Sequence, residues 1–241
     1  MEVIATHGNA DFDGLASMVA AQKLFPEAML VLPAGGQETV RNFLTDHDLG
    51  ISKLKGIDLS QITRLILVDT QDPDRIGSLK SCVDNLSVEI VVFDHHVDEA
   101  SPCSGRSPLS LVEPVGATTT LLIELLRQRQ IIVTPFEATV LALGLYEETG
   151  SFGFTSTTVR DLNAGAFLLE CKADLTVVMD VLRRPLDPDT VALLNDLMEH
   201  SELHYLEGRK VLVATSTIDR RRGEAAGVVH LLAEMQGIDA V

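Results

Sequence analysis

Short unbroken apolar runs alternate with segments of helical spacing through the first hundred residues. VIAT (residues 3–6) is compact and β-branched, and ASMVAAQKLF then places apolar residues at helical intervals. AMLVLP, LILVD (65–69) and EIVVFD (89–94) are further strand-like runs, and DRIGSLKSCV between the last two has helical character. Fully apolar strands alternating with helices predict a parallel sheet covered on both faces. After residue 115 the pattern turns helical: GATTTLLIELLRQRQ, PFEATVLALGLYEE, TVRDLNAGAFLLECKA, LTVVMDVLRR and DPDTVALLNDLMEHSE follow in succession. Five such segments predict a helical cap over one end of the sheet. Pro185 and PLDPD punctuate the chain and mark a boundary. RKVLVATST then reads as a strand, GEAAGVVHLLAEMQG as a helix, and IDAV as the first residues of an element cut short. The expected architecture is α/β: a three-layer sandwich with a mainly parallel sheet, a helical cap, and the start of a second, smaller α/β domain. Its expected limits are a first domain over 1–184, a linker helix over 185–204 and the beginning of the smaller domain over 205–241.

Composition narrows the class. Hydrophobic residues are 46% and charged residues 22% of 241, a globular balance. No apolar stretch approaches the ~20 residues that span a bilayer. The chain starts on MEVIAT without a basic leader, so no membrane or export role is expected. Cys82, Cys103 and Cys171 are odd in number and far apart, which argues against a disulfide framework and for a reducing cytoplasm. A net charge of -16 argues against a surface that attracts nucleic acid everywhere. The same charge gathered in a cleft would repel itself unless cations offset it.

The polar residues fall where such cations could sit. The first apolar strand ends at His7, with Asp11 and Asp13 close behind; the third ends at Asp69; the fourth ends at Asp94, His95 and His96. Parallel strands carry their C-termini to one edge, where ligands bind. An aspartate after a strand is commonly a turn residue or helix cap, and a lone histidine is commonly packed or solvated. Three ligand-bearing strand ends on one edge are harder to dismiss. Asp11 and Asp13 would point to opposite sides of an extended loop, a spacing that suits two cations, with Asp69 able to bridge them. Mixed imidazole and carboxylate ligands suit manganese, iron or zinc. Two such ions ~3.5–4 Å apart can activate a bridging water and hold a phosphoryl oxygen. GATTT and TGSFGFTSTT set small hydroxyl residues near helix ends, either as phosphate donors or as ordinary caps.

HGNADFDG, LILVDT, VVFDHH and YEETGSFGFTSTT resemble, in order, the four motifs of the DHH phosphoesterase superfamily, over about residues 1 to 160. That superfamily includes RecJ-like exonucleases, nanoRNases/pAp phosphatases, family II pyrophosphatases and exopolyphosphatases. NADFDGLASMVAAQKLFP looks most like the amino-terminal DHH module found ahead of CBS and nucleotidyltransferase domains in poly(A) polymerase or tRNA nucleotidyltransferase-like proteins.

The resemblance implies a cytoplasmic hydrolase with two Mn2+ ions, Mg2+ being the alternative. It would cleave phosphodiester or phosphomonoester bonds of nucleotides or short oligonucleotides through a metal-bridged hydroxide. His7, Asp11 and Asp69 would hold one ion, and Asp13, Asp69, His95 and Glu148 the other. His96 would contact the substrate phosphate, with Asp94 orienting a ligand histidine; Asn9, Thr118 and Arg222 would also contact substrate. Arg222 closes the run from Arg220, which reads either as a solvated face or as a bidentate phosphate contact. Fused CBS and nucleotidyltransferase domains and a homodimer are further expectations. The alternatives are a non-catalytic nucleotide-sensing module of such a longer protein, or a pyrophosphatase or exopolyphosphatase. Two departures stand out. The family's fourth motif has Asp-Thr-Gly where this chain has Glu148, with Glu147 as a rival ligand, and the family's Gly-Gly-His motif is absent.

Overall fold

Six strands form one sheet: β1 (Glu2–Ala5), β2 (Met29–Leu32), β3 (Ser52–Lys53), β4 (Arg64–Val68), β5 (Glu89–Asp94) and β6 (Leu111–Val112). The computed structural model describes residues 1–97, 101, 103, 105–183, 188–216, 225–233 and 238–241. The strands run in the order β3-β2-β1-β4-β5-β6, and every pair is parallel. The four long strands are apolar on both sides because both faces are covered. Ile4, Leu30, Ile66, Val68, Val91 and Phe93 enter one core, while Val3, Ala5, Val31, Leu65, Leu67, Ile90 and Val92 enter the other. That alternation is the period-2 geometry of a strand. It fixes register, since a one-residue slip would exchange the two cores.

The first core is capped by α1 (Phe12–Leu24), α2 (Glu38–Asp46), α4 (Thr118–Gln128), α5 (Pro135–Glu148) and α6 (Val159–Glu170), with α7 (Leu175–Leu182) packing its Val178 there too. The second core is closed by Ile76, which lies between 3-10 turns at Pro73–Arg75 and Gly77–Leu79, by Leu79, and by Cys82 and Val83 of α3 (Lys80–Asp84). Residues Phe12 to Ala21 of α1 and Ala138 to Leu145 of α5 are all buried, so both helices are enclosed by protein on every side over those turns. Glycine makes their approach possible. A Cβ at Gly144 would lie 2.7 Å from the Ala16 Cβ and 2.8 Å from both the Phe12 carbonyl oxygen and the Thr119 Oγ1.

The chain divides into two units, Met1–Arg183 and Arg184–Val241. The second contains α8 (Pro188–Glu199), an antiparallel hairpin of β7 (Ser201–Leu206) and β8 (Arg209–Ala214), and α9 (Ala225–Ala233). The helix read as a linker, α8, packs Leu193 with Leu212, Val228 and Leu232 of this unit. The stretch MEHSE does not stay helical throughout: Ser201 and Glu202 open β7, whose residues are almost all exposed and so carry no apolar run. Arg220, Arg221 and Arg222 lie outside the described residues. Among the described residues, no helix is long and apolar enough to cross a membrane.

Candidate metal centre

The C-terminal edge of the sheet brings β1, β4 and β5 together. Asp69 follows β4 directly, in a left-handed conformation with φ 57. Asp tolerates that region better than most residues, and its backbone N–H is fixed by the Phe93 carbonyl at 2.9 Å. Its two carboxylate oxygens face different partners. Oδ2 lies 3.3 Å from His7 Nε2, and Oδ1 lies 3.7 Å from His95 Nε2. His7 also lies 3.8 Å from Asp11 Oδ2. Two groups result, His7–Asp11–Asp69 and Asp69–His95–His96, each with one ligand atom per residue within 4.8 Å of the others. Neighbouring ligands about 2.1 Å from one octahedral ion lie about 3.0 Å apart, close to these spacings.

Asp11 begins α1, so residues 11–13 are not the extended loop expected of them. Its Oδ1 accepts from the Gly14 N–H at 3.1 Å as a helix cap, while Oδ2 remains on the His7 side. Cap and candidate ligand are thus one side chain. Asp13, in the first turn of α1, is fully buried and belongs to neither group. Its Oδ1 accepts from the Thr119 N–H (2.9 Å) and hydroxyl (2.6 Å), and its Oδ2 from the Thr118 N–H at 2.7 Å. A carboxylate has about four acceptor positions, so one remains on Oδ2.

Glu148 and Glu147 end α5 and part company. Glu148 Oε1 lies 3.7 Å from His95 Nε2, whereas Glu147 Oε2 accepts the Phe12 N–H at 2.7 Å and anchors the start of α1. The His95 ring is fixed by Nδ1 at 3.1 Å from the Val115 carbonyl, leaving Nε2 buried without a hydrogen-bond partner. An orphaned imidazole nitrogen aimed at two carboxylates is what a divalent-ion site requires. Asp94 orients the other histidine of the Asp69–His95–His96 group, His96, rather than His95. Its Oδ1 lies 2.7 Å from His96 Nδ1, and the Gln71 amide holds the His96 carbonyl at 2.5 Å. Thr118, expected on substrate, is buried and has both donors turned inward: N–H to Asp13 and hydroxyl to Asp69 Oδ1 at 3.0 Å. Asn9 is exposed in the loop between His7 and Asp11.

The electrostatics match crowded carboxylates. Burial, then the Asp69 charge, pushes Asp13 well above the usual carboxylate range. Burial and the charges of Asp69 and Asp11 push Glu148 up to about 7. Burial opposes charge on His7, but the Asp11 and Asp69 carboxylates outweigh it and raise His7 to about 9. His96 is raised by its bond to Asp94 despite partial burial. Divalent cations would relieve the repulsion among these acids. Sequence reasoning missed Val115, Thr119 and Gln71. Val115 acts through its own backbone carbonyl, Gln71 donates its side-chain amide to the His96 carbonyl, and Thr119 was visible only as part of a Thr-rich helix start.

Comparisons with known proteins agree with the geometry. The chain is 38% identical over its whole length to an A-adding tRNA nucleotidyltransferase of Geobacter sulfurreducens, covering 28% of that protein. It is 30% identical over 48% of its length to the bifunctional oligoribonuclease and PAP phosphatase NrnA of Mycoplasma genitalium, covering 36% of it. The chain therefore spans about a third or less of these relatives. An exopolyphosphatase-related protein from Bacteroides fragilis shares the fold, with a TM-score of 0.77 at 14% identity over 98% of this chain and 73% of that one. Residues 2–145 match the DHH family, N-terminal domain, and the chain belongs to that family.

Proposed function

We propose that residues of Met1–Arg183 form a two-ion centre for hydrolysis of phosphate esters of nucleotides or short oligonucleotides. The observation that carries this is Asp69, shared by two ligand groups through its two oxygens. His7 and Asp11 complete one ion's site; His95, Glu148 and the remaining acceptor position of Asp13 complete the other. Divalent ions bound there, Mn2+ by the mixed ligand set, supply a nucleophile from water and Lewis acidity at phosphorus. His96 is 44% exposed at the side chain and kept protonated to higher pH by Asp94, so it can donate to a phosphoryl oxygen. Asn9, exposed between His7 and Asp11, is proposed to reach the substrate. The test is a panel of pAp, short oligonucleotides, pyrophosphate and polyphosphate assayed with Mn2+. Activity on a nucleotide substrate that is lost in Asp69→Ala supports the proposal, and Asp69→Ala with wild-type turnover would falsify it.

A second reading has its own support. The Geobacter sulfurreducens relative matches along the whole chain and is named for nucleotidyl transfer. The chain could be a nucleotide-sensing module of a longer protein with CBS and nucleotidyltransferase domains. Nucleotide binding by calorimetry, with no hydrolysis in saturating Mn2+, would favour it.

A further inference from the structure

Asp161 lies outside both ligand groups, yet among the described residues of the first unit it is the carboxylate with the most hydrogen bonds. It is fully buried in the first turn of α6. It accepts from the Gly116 N–H at 3.1 and 2.9 Å, the Thr120 hydroxyl at 2.6 Å, the Thr158 N–H at 2.6 Å and the Thr158 hydroxyl at 2.7 Å. Capping α6 requires only the bonds to Thr158. The other donors come from 45 and 41 residues earlier.

Both donors lie within residues 115–120, and this short segment touches the metal centre at three side chains. The Val115 carbonyl fixes His95 Nδ1, the Thr118 and Thr119 N–H groups hold Asp13, and the Thr118 hydroxyl holds Asp69. Gly116 shows how tightly the clamp closes. A Cβ there would lie 2.7 Å from Asp161 Oδ2 and 2.9 Å from the Thr149 Cγ2.

We propose that Asp161 is a positioning residue of the metal centre, setting His95, Asp13 and Asp69 through the backbone of residues 115–120. It touches no candidate ligand itself, and its donors occupy both oxygens. The role requires a carboxylate. In Asp161→Asn the Gly116 N–H, bonded to both oxygens, faces the amide NH2 whichever way the group turns.

The inference rests on the metal-centre reading, and the experiment separates the two. Mn2+ affinity of the full chain is measured by calorimetry, well below each variant's melting temperature, for wild type, Asp161→Asn, Thr158→Ala and Thr120→Val. Thr158→Ala cuts only the local cap; it should lower the melting temperature and leave affinity within about twofold. Asp161→Asn should weaken affinity about 10- to 100-fold, as loss of outer groups behind metal ligands does. Thr120→Val, which keeps the α6 cap, should weaken it severalfold, and it decides the matter if Asp161→Asn does not fold. Wild-type affinity in Asp161→Asn, or in Thr120→Val where only that variant folds, overturns the positioning role alone. A wild-type chain that binds no Mn2+ overturns the metal centre and the positioning role together.

Discussion

At the scale of single residues, backbone and charge make separable demands on Asp69. Its φ of 57 favours Asp or Asn, while the proposed metal centre requires its charge. Asp69→Asn and Asp69→Ala should therefore both lose Mn2+, yet differ when metal-free. Asn keeps the left-handed backbone and removes a negative charge beside Asp13 and Glu148. Ala removes the charge but strains the turn by about 1 kcal/mol. Urea unfolding with chelator should place Asp69→Asn above Asp69→Ala by about that amount; equal midpoints would sink the argument. Asp161 gives a pH prediction. Burial raises its pKa, but the Thr120 and Thr158 hydroxyls and the Thr158 and Gly116 N–H groups outweigh it, and the carboxyl sits below its ordinary value. A depressed folded pKa means the stabilisation is complete above about pH 4 and drains away as pH falls through the lower folded value. The stability gap between wild type and Asp161→Asn, on the order of 3 kcal/mol at neutral pH, should narrow toward pH 3. A gap that is flat from pH 7 to pH 3 would show that the charge is not what stabilises.

At the scale of elements, what the sequence revealed depended on burial. The four apolar strands and α5 stand out because each is buried on every side, so its composition announces it. The two-residue edge strands, Ser52–Lys53 and Leu111–Val112, have too few positions for any period to show. β7 is nearly all exposed and has no core-facing stripe to read. The contact of α1 with α5 was equally invisible, because it depends on an absent side chain. Gly144→Ala should improve helix propensity by about 1 kcal/mol. The added Cβ would meet Ala16, Phe12 and Thr119 at 2.7–2.8 Å, two of those neighbours being backbone or Cβ atoms that cannot swing aside. Overpacking of that kind costs about 1–3 kcal/mol, so the variant should lose up to about 2 kcal/mol net. Since Thr119 holds Asp13, Mn2+ affinity should fall as well. A denaturation midpoint at or above wild type would mean that the helices part freely there.

At the scale of the whole chain, the meeting of the candidate site's residues was legible because a parallel sheet converts strand ends far apart in sequence into neighbours. His7, Asp69 and His95 needed only that rule. Which acid faces which ion needed more: Glu147 and Glu148 are adjacent in sequence, and only helix phase sends one to the Phe12 N–H and the other to His95. Every residue of both ligand groups, the segment that positions them and the two sheet-facing cores lie within Met1–Arg183. The second unit has a small core of its own around Leu193, Leu212, Val228 and Leu232. A chain ended after Arg183 should therefore fold cooperatively and keep Mn2+ affinity within about threefold of the full chain, under 1 kcal/mol. Its urea m-value should drop in proportion to the surface removed. A fragment that folds but binds Mn2+ ten times more weakly would place part of the metal centre's support in Arg184–Val241. One that cannot fold would show that the first unit's two cores are insufficient without the rest of the chain.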